Sequence, residues 1–197
     1  AGDLRSLPLL EAYHASVQAH SAPASLPVGD FCRRVERAQA REEELVIAPE
    51  YFAALARTNP RLTHAEVLVR RGRADNELTR FRYDAILHLD TPVNAAPDQR
   101  IAWTGPGSLA RVQKSLASAP VLLLTSVPDR RVAPHARLAS AMHSADDARK
   151  LGELTAALRE EAAGAIDLEE LWTMAAKAGC ELTITYHGAG DAGLVDA

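Results

Sequence analysis

Two alternating segments constrain this chain most. Ala65, Val67 and Val69 alternate with Glu66, Leu68 and Arg70, and Phe81, Tyr83, Ala85, Leu87 and Leu89 alternate with Arg82, Asp84, Ile86 and His88. A period of two puts one set of each run on a buried sheet face, so both segments read as strands. The stretch between them contains Gly72 and a dense set of charged and amide side chains, which predicts an antiparallel pair joined by a polar, functional loop.

The rest of the chain reads as helices and strands in mixed order. Leu4, Leu7, Leu10, Tyr13, His14 and Val17 recur at three- and four-residue steps, predicting a helix over 3–19. Asp30 suits the N-cap of a charged helix running to about Leu45, and Pro49 suits the first turn of a short helix, Glu50–Arg57. Residues 91–101, with two prolines and no periodicity, read as a linker between a segment 1–90 and a segment 102–197. Beyond it, 108–118 reads as helix and Val121–Val127 as a buried strand. Ser144 and Asp147 predict a helix to about Ala163, and Asp167 with Glu170 predicts another, stopped by Gly179. Leu182, Ile184 and Tyr186 alternate in a last strand.

Composition excludes several classes. A hydrophobic content of 47% supports a packed core, and a net charge of −4 with interspersed signs gives no basis for nucleic-acid or membrane binding. Cys32 and Cys180 are far apart, and the seven histidines include no His-x-x-x-His pair, so no metal is expected. With no apolar run of spanning length and no leader pattern, the expected location is cytoplasmic. No Gly-x-Ser-x-Gly elbow points to a hydrolase.

The polar loop and its second strand read Arg71-Gly72-Arg73-Ala74-Asp75-Asn76-Glu77-Leu78-Thr79-Arg80-Phe81-Arg82-Tyr83-Asp84. This run resembles a signature of the N-methyltransferase domains embedded in non-ribosomal peptide synthetases. The resemblance extends through the run from Gly2 to His14 and through Glu42-Glu43-Glu44-Leu45-Val46, and more loosely through Val127-Pro128-Asp129-Arg130-Arg131 and Ile166-Asp167-Leu168-Glu169. It implies an α/β fold: part of a class I, Rossmann-like methyltransferase core over 1–90, and an α/β C-terminal extension of the same domain over 102–197. It also implies that both ends fall inside a domain, with the N-terminal half of the methyltransferase outside this sequence. Gly105-Pro106-Gly107 has no apolar run of strand length leading in, so it reads as a turn and not as a cofactor loop. The cofactor, S-adenosylmethionine, would therefore bind mainly to that other half.

The implied substrate is an aminoacyl group on the phosphopantetheine arm of a peptidyl carrier protein, and the implied neighbour is an adenylation domain. N-methylation needs alignment and a group to take the amine proton. An imidazole or carboxylate would serve, which nominates His14, Glu43 and Glu44. His14 lies on the apolar stripe of the first helix and reads either as a core histidine or as part of an aromatic–His pair, with Tyr13 where the family more usually has phenylalanine. Glu42, Glu43 and Glu44 read either as a solvated helix face or, through the family's Glu-Glu-Leu, as a run in which Glu43 or Glu44 matters. Asn76, Glu77, Arg80, Arg82 and Tyr83 form the candidate substrate-binding set. Arg80 and Arg82 are expected on one strand face, anchoring carboxylates such as Asp75 or Glu77, and a purely bracing role for the loop is the other reading. For the chain as a whole, the competing reading is a degenerate, non-catalytic scaffold or docking domain within a synthetase.

Overall fold

The alternating segments pair as expected. In the computed structural model, which describes residues 1–72, 76–90, 96–116, 118–160, 164–186, 188 and 190–197, β3 (Leu62–Val69) and β4 (Arg82–Leu89) form an antiparallel ladder with Ala65 opposite Leu87 and Val69 opposite Tyr83. They belong to a four-stranded sheet of order β2-β1-β4-β3, where β1 is Leu4–Ser6 and β2 is Val46–Ile47. β1 runs parallel to β2 and antiparallel to β4. The chain is mixed α/β.

Residues 4–6 are therefore strand and not the start of a helix. Pro8 decides this, because a residue before proline is disfavoured in the helical region. Ser6 donates its N–H to Phe81 O (2.9 Å) and Leu7 to Ile47 O (3.1 Å), and α1 begins only at Leu10 (Leu10–Ser21). A second correction concerns α2 (Val28–Gln39). It starts after Pro27, with Asp30 inside the first turn and hydrogen-bonded by Arg33 at 2.5 Å, where a carboxylate suits the positive end of the helix dipole. It ends at Gln39, so Glu42, Glu43 and Glu44 lie in a non-helical connection to β2. α3 (Glu50–Thr58) follows Pro49 as expected.

The polar loop contains one helical turn, α4 (Glu77–Arg80), capped by Asn76 and Thr79. Of the expected linker, 91–95 lie outside the described residues. Its end forms β5 (Gln99–Ala102), which pairs in parallel with β6 (Leu122–Thr125) through α5 (Ser108–Leu116). The run read as one strand, 121–127, breaks at Ser126 (φ 61°) into β6 and β7 (Val127–Pro128). Ser144 ends α6 (Ala133–Ser144) and does not begin a helix. The next helix, α7, is Leu151–Glu160, and the expected extension through 161–163 lies outside the described residues. α8 (Leu168–Ala178) is capped by the Asp167 side chain and closed by Gly179 in the left-handed conformation (φ 69°). β8 (Thr185–Tyr186) and β7 flank β9 (Leu194–Asp196).

One continuous core serves both segments. Leu9, Phe31, Phe81 and Tyr83 are almost wholly buried with Ile101, Met142, Leu168 and Leu171. Burying side chains of this size contributes about 1.5–3 kcal/mol each. α1 packs on α6, and Val69 N–H reaches Ile184 O (2.9 Å), joining β3 to the strand end at β8. Among the described residues no helix is long and apolar enough to cross a membrane.

Candidate functional site

The β1–β4 register creates an electrostatic problem that the site resolves. Arg5 lies directly opposite Arg82, and like charges on opposed strand positions repel. Two carboxylates bridge them. Arg5 donates to Glu44 Oε2 from Nε (3.0 Å) and Nη2 (2.5 Å), and to Glu77 Oε1 from Nη2 (2.6 Å). Arg82 Nη2 donates to the same two carboxylates, at 2.8 Å to Glu44 and 2.9 Å to Glu77, while its Nη1 donates to Glu44 Oε1. The guanidinium side chains are 5% and 11% exposed, against 38% for each carboxylate. Tyr13 closes one face, with the Arg5 guanidinium 4.0 Å from its ring centroid.

His14 extends this cluster. It is buried on α1 beside Tyr13, with ring centroids 4.8 Å apart, and its Nε2 lies 3.1 Å from Glu42 Oε2. The same Glu42 oxygen is 3.9 Å from Arg5 Nη1, and Glu42 Oε1 accepts the N–H of Glu44. The two groups titrate differently. Burial holds the His14 imidazolium below its usual range, outweighing Glu42, which pulls the other way. Hydrogen bonding from Arg82, reinforced by Arg5, holds the Glu44 carboxyl below the usual carboxylate range. At neutral pH His14 is a neutral base hydrogen-bonded to Glu42, and Glu44 is an anion spent on two guanidiniums. Arg5 Nη1 and Arg82 Nε are buried and reach no hydrogen-bond acceptor among the described residues.

Comparison with known proteins agrees with the motifs as far as the nonribosomal peptide synthetases. The chain is similar to segments of nonribosomal peptide synthetases. It is 45% identical over 102 residues (52% of the chain) to the chondramide synthase of Chondromyces crocatus. It is 38% identical over 96 residues (48%) to the beauvericin nonribosomal cyclodepsipeptide synthetase of Beauveria bassiana. It is 31% identical over 136 residues (64%) to the cyclosporin synthetase of Tolypocladium inflatum. The chain spans only 3%, 3% and 1% of those proteins' lengths. No family model matches it.

The structure brings some expected residues together and separates others. His14, Glu44, Glu77 and Arg82 share the cluster. Glu43 is exposed and outside it, whereas Glu42 reaches His14 and Glu44 reaches Arg5 and Arg82 from the same non-helical connection. Arg80 and Arg82 do not share a strand face. Arg80 ends α4 and borders a cavity of about 740 Å³ lined also by His20, His135 and Leu138. Tyr83 is 0% exposed and donates its hydroxyl to Ile47 O (2.9 Å), with burial pushing its pKa up to about 12. It braces the sheet beneath the site and presents no surface to a substrate. The Asn76 side chain accepts from Thr79 N as a helix cap. Asp75 lies outside the described residues.

Arg5 and Glu42 escaped the sequence reading. The signal for Arg5 was Pro8, which argues for an extended segment before it. The signal for Glu42 was its two-residue spacing from Glu44, useful only once the helix is known to have ended. One turn also differs from expectation. β5 does lead into Gly105-Pro106-Gly107, and α5 follows. Yet the Ser108 hydroxyl takes Thr104 N–H (2.9 Å), and Ser108 N–H goes to Gly105 O (2.9 Å). These amides are committed within the turn, so it does not fit a cradle that grips a cofactor through its backbone.

Proposed function

We propose that this chain is the substrate-facing, C-terminal part of a methyltransferase domain in a nonribosomal peptide synthetase, one that N-methylates a carrier-bound aminoacyl or peptidyl thioester for secondary-metabolite (antibiotic) biosynthesis. The observation that carries the reading is the cluster itself. The segments that resemble the N-methyltransferase signature, around residues 5, 14, 42–44 and 77–82, converge on one ion network with a buried neutral imidazole at its edge. S-adenosylmethionine supplies an electrophilic methyl group when bound, and its binding falls mainly to chain N-terminal to this sequence.

The residues of this chain have three tasks in the proposal. His14, neutral at working pH, accepts the proton that an aminoacyl ammonium must lose before nitrogen becomes nucleophilic. With Nε2–H donated to Glu42, Nδ1 carries the accepting lone pair, and Glu42 stabilises the imidazolium that forms. Glu44, held ionised, is a poor proton acceptor. With Glu77 it fixes the two guanidiniums, which brace the wall of the site around His14. The carrier protein's phosphopantetheine arm and the adenylation domain are the partners in this reading.

The test is methyl transfer by the intact synthetase that carries this chain. Its carrier protein is loaded with amino acid, supplied with S-adenosylmethionine, and the product is read by mass spectrometry with fragmentation to locate the methyl group. Methyl on the amino nitrogen supports the proposal. An unmethylated product from a module that still activates and loads its amino acid favours the scaffold reading, and methyl on carbon or oxygen removes the role given to His14.

A further inference from the structure

A second cluster sits at the end of the β3–β4 ladder away from Arg82. His64 and Glu66 are two residues apart on β3 and so leave on one face, and the register sets His64 opposite His88 on β4. The two imidazoles stack with centroids 4.0 Å apart and planes 6° apart. Both Nε2 atoms are buried and make no hydrogen bond among the described residues. The Glu66 carboxylate faces both, 3.8 Å from His64 Nε2 and 3.3 Å from His88 Nε2. All three donor atoms lie within 4.8 Å of one another. Two buried ring nitrogens that make no hydrogen bond among the described residues are costly for the bare side chains, and a cation shared with the neighbouring carboxylate removes that cost.

The geometry points to a divalent transition-metal site, of the zinc class, held by His64 Nε2, His88 Nε2 and the Glu66 carboxylate. Two imidazoles and a carboxylate form a donor set that zinc takes with its fourth position open, whereas magnesium and calcium prefer oxygen-only shells. The tautomer is already set for His64. The Thr63 hydroxyl donates its one proton to His88 O (3.1 Å), so towards His64 Nδ1, at 3.5 Å, it is an acceptor. Nδ1 then carries the hydrogen and Nε2 the lone pair, the outer-shell arrangement that orients a metal-binding imidazole. Bonds of about 2.0–2.1 Å in a tetrahedral site hold two nitrogens roughly 3.4 Å apart, so the stacked rings splay as they close on the ion. Glu66 and His88 also border a cavity of about 950 Å³ whose wall includes Cys180, Glu181 and Thr183. Helical His-x-x-x-His spacing is the wrong template for a site built across two strands.

The probe is Co²⁺ titrated into the chelator-treated 197-residue chain, with circular dichroism confirming the fold of each sample. Visible d–d absorption should saturate at one ion per chain and be displaced by Zn²⁺. Loss of an outer-shell partner alone typically costs about 10–100-fold in affinity. His64→Ala, His88→Ala and Glu66→Gln should each cost at least that, while His143→Ala on α6 should leave binding unchanged. X-ray absorption of the zinc-loaded wild-type chain should show two imidazoles and no sulfur, a readout independent of any variant. No saturable absorption from the folded chain, binding that survives both histidine substitutions, or a zinc shell lacking two imidazoles would overturn the assignment.

Discussion

Replacing Arg5 with methionine removes the central cation of the network and keeps an apolar stem against Tyr13. Arg5 makes three charge-assisted hydrogen bonds and one ring contact. Removing one partner of a fully buried pair costs about 3–5 kcal/mol. That range is an upper bound, because Glu44 and Glu77 are each 38% exposed, regain water and keep Arg82. Discounting for that solvation gives about 2–3 kcal/mol, well above the roughly 0–1 kcal/mol of an exposed ion pair. Urea denaturation followed by far-ultraviolet circular dichroism is the assay. With a slope of about 2 kcal/mol per molar for a chain of this size, the midpoint should fall by about 1 M. The penalty should also depend on pH in a defined direction. Because the Glu44 carboxyl is held below its ordinary value of 4.5 in the folded chain, its stabilisation is present above that value. It is lost as pH falls through the folded pKa, so the Arg5→Met difference should shrink in acid. A loss below about 0.5 kcal/mol at neutral pH would refute the reasoning and make the cluster an ordinary surface network.

Three further outcomes follow from single residues. His14 has a folded pKa below 6.5, so the unfolded chain binds this proton more readily and stability falls as pH drops below about 6.5. His14→Gln should flatten that part of the stability–pH curve, and an unchanged curve would contradict the assignment. Gly193 has φ 68°, and a Cβ there would meet Ala133 N at 2.7 Å, so Gly193→Ala should lower the melting temperature clearly. A variant with the wild-type melting point would show that the turn yields. Asn76→Ala removes a helix cap and should cost about 1 kcal/mol in urea midpoints, whereas an unchanged midpoint would mean the cap contributes nothing.

Local signals explain what was legible. The β3–β4 pair, α3 after Pro49 and α8 between Asp167 and Gly179 each carry agreement between periodicity and punctuation, and each formed where expected. α6 was invisible because its buried face is mostly small, Ala133, Ala136 and Ala139 with Leu138 and Met142, which gives little hydrophobic contrast. The site was harder still. Arg5, His14, Glu42, Glu44, Glu77 and Arg82 come from five separate stretches, and their contacts depend on the β1–β4 register. That register is set by tertiary pairing, which local pattern does not encode. The His64–Glu66–His88 group was hidden for the same reason: one of its members comes from the opposite strand.

Proton acceptance by His14 is the centre of the account, and single-turnover methyl transfer to an aminoacyl carrier protein tests it most directly. In the intact synthetase, His14→Gln should slow the methyl-transfer step by about 10²–10⁴-fold while cofactor affinity stays near wild type. Glu42→Gln should slow it less, and Glu43→Gln, outside the cluster, should leave it unchanged. A His14→Gln enzyme that transfers methyl at the wild-type rate across neutral pH would contradict the account.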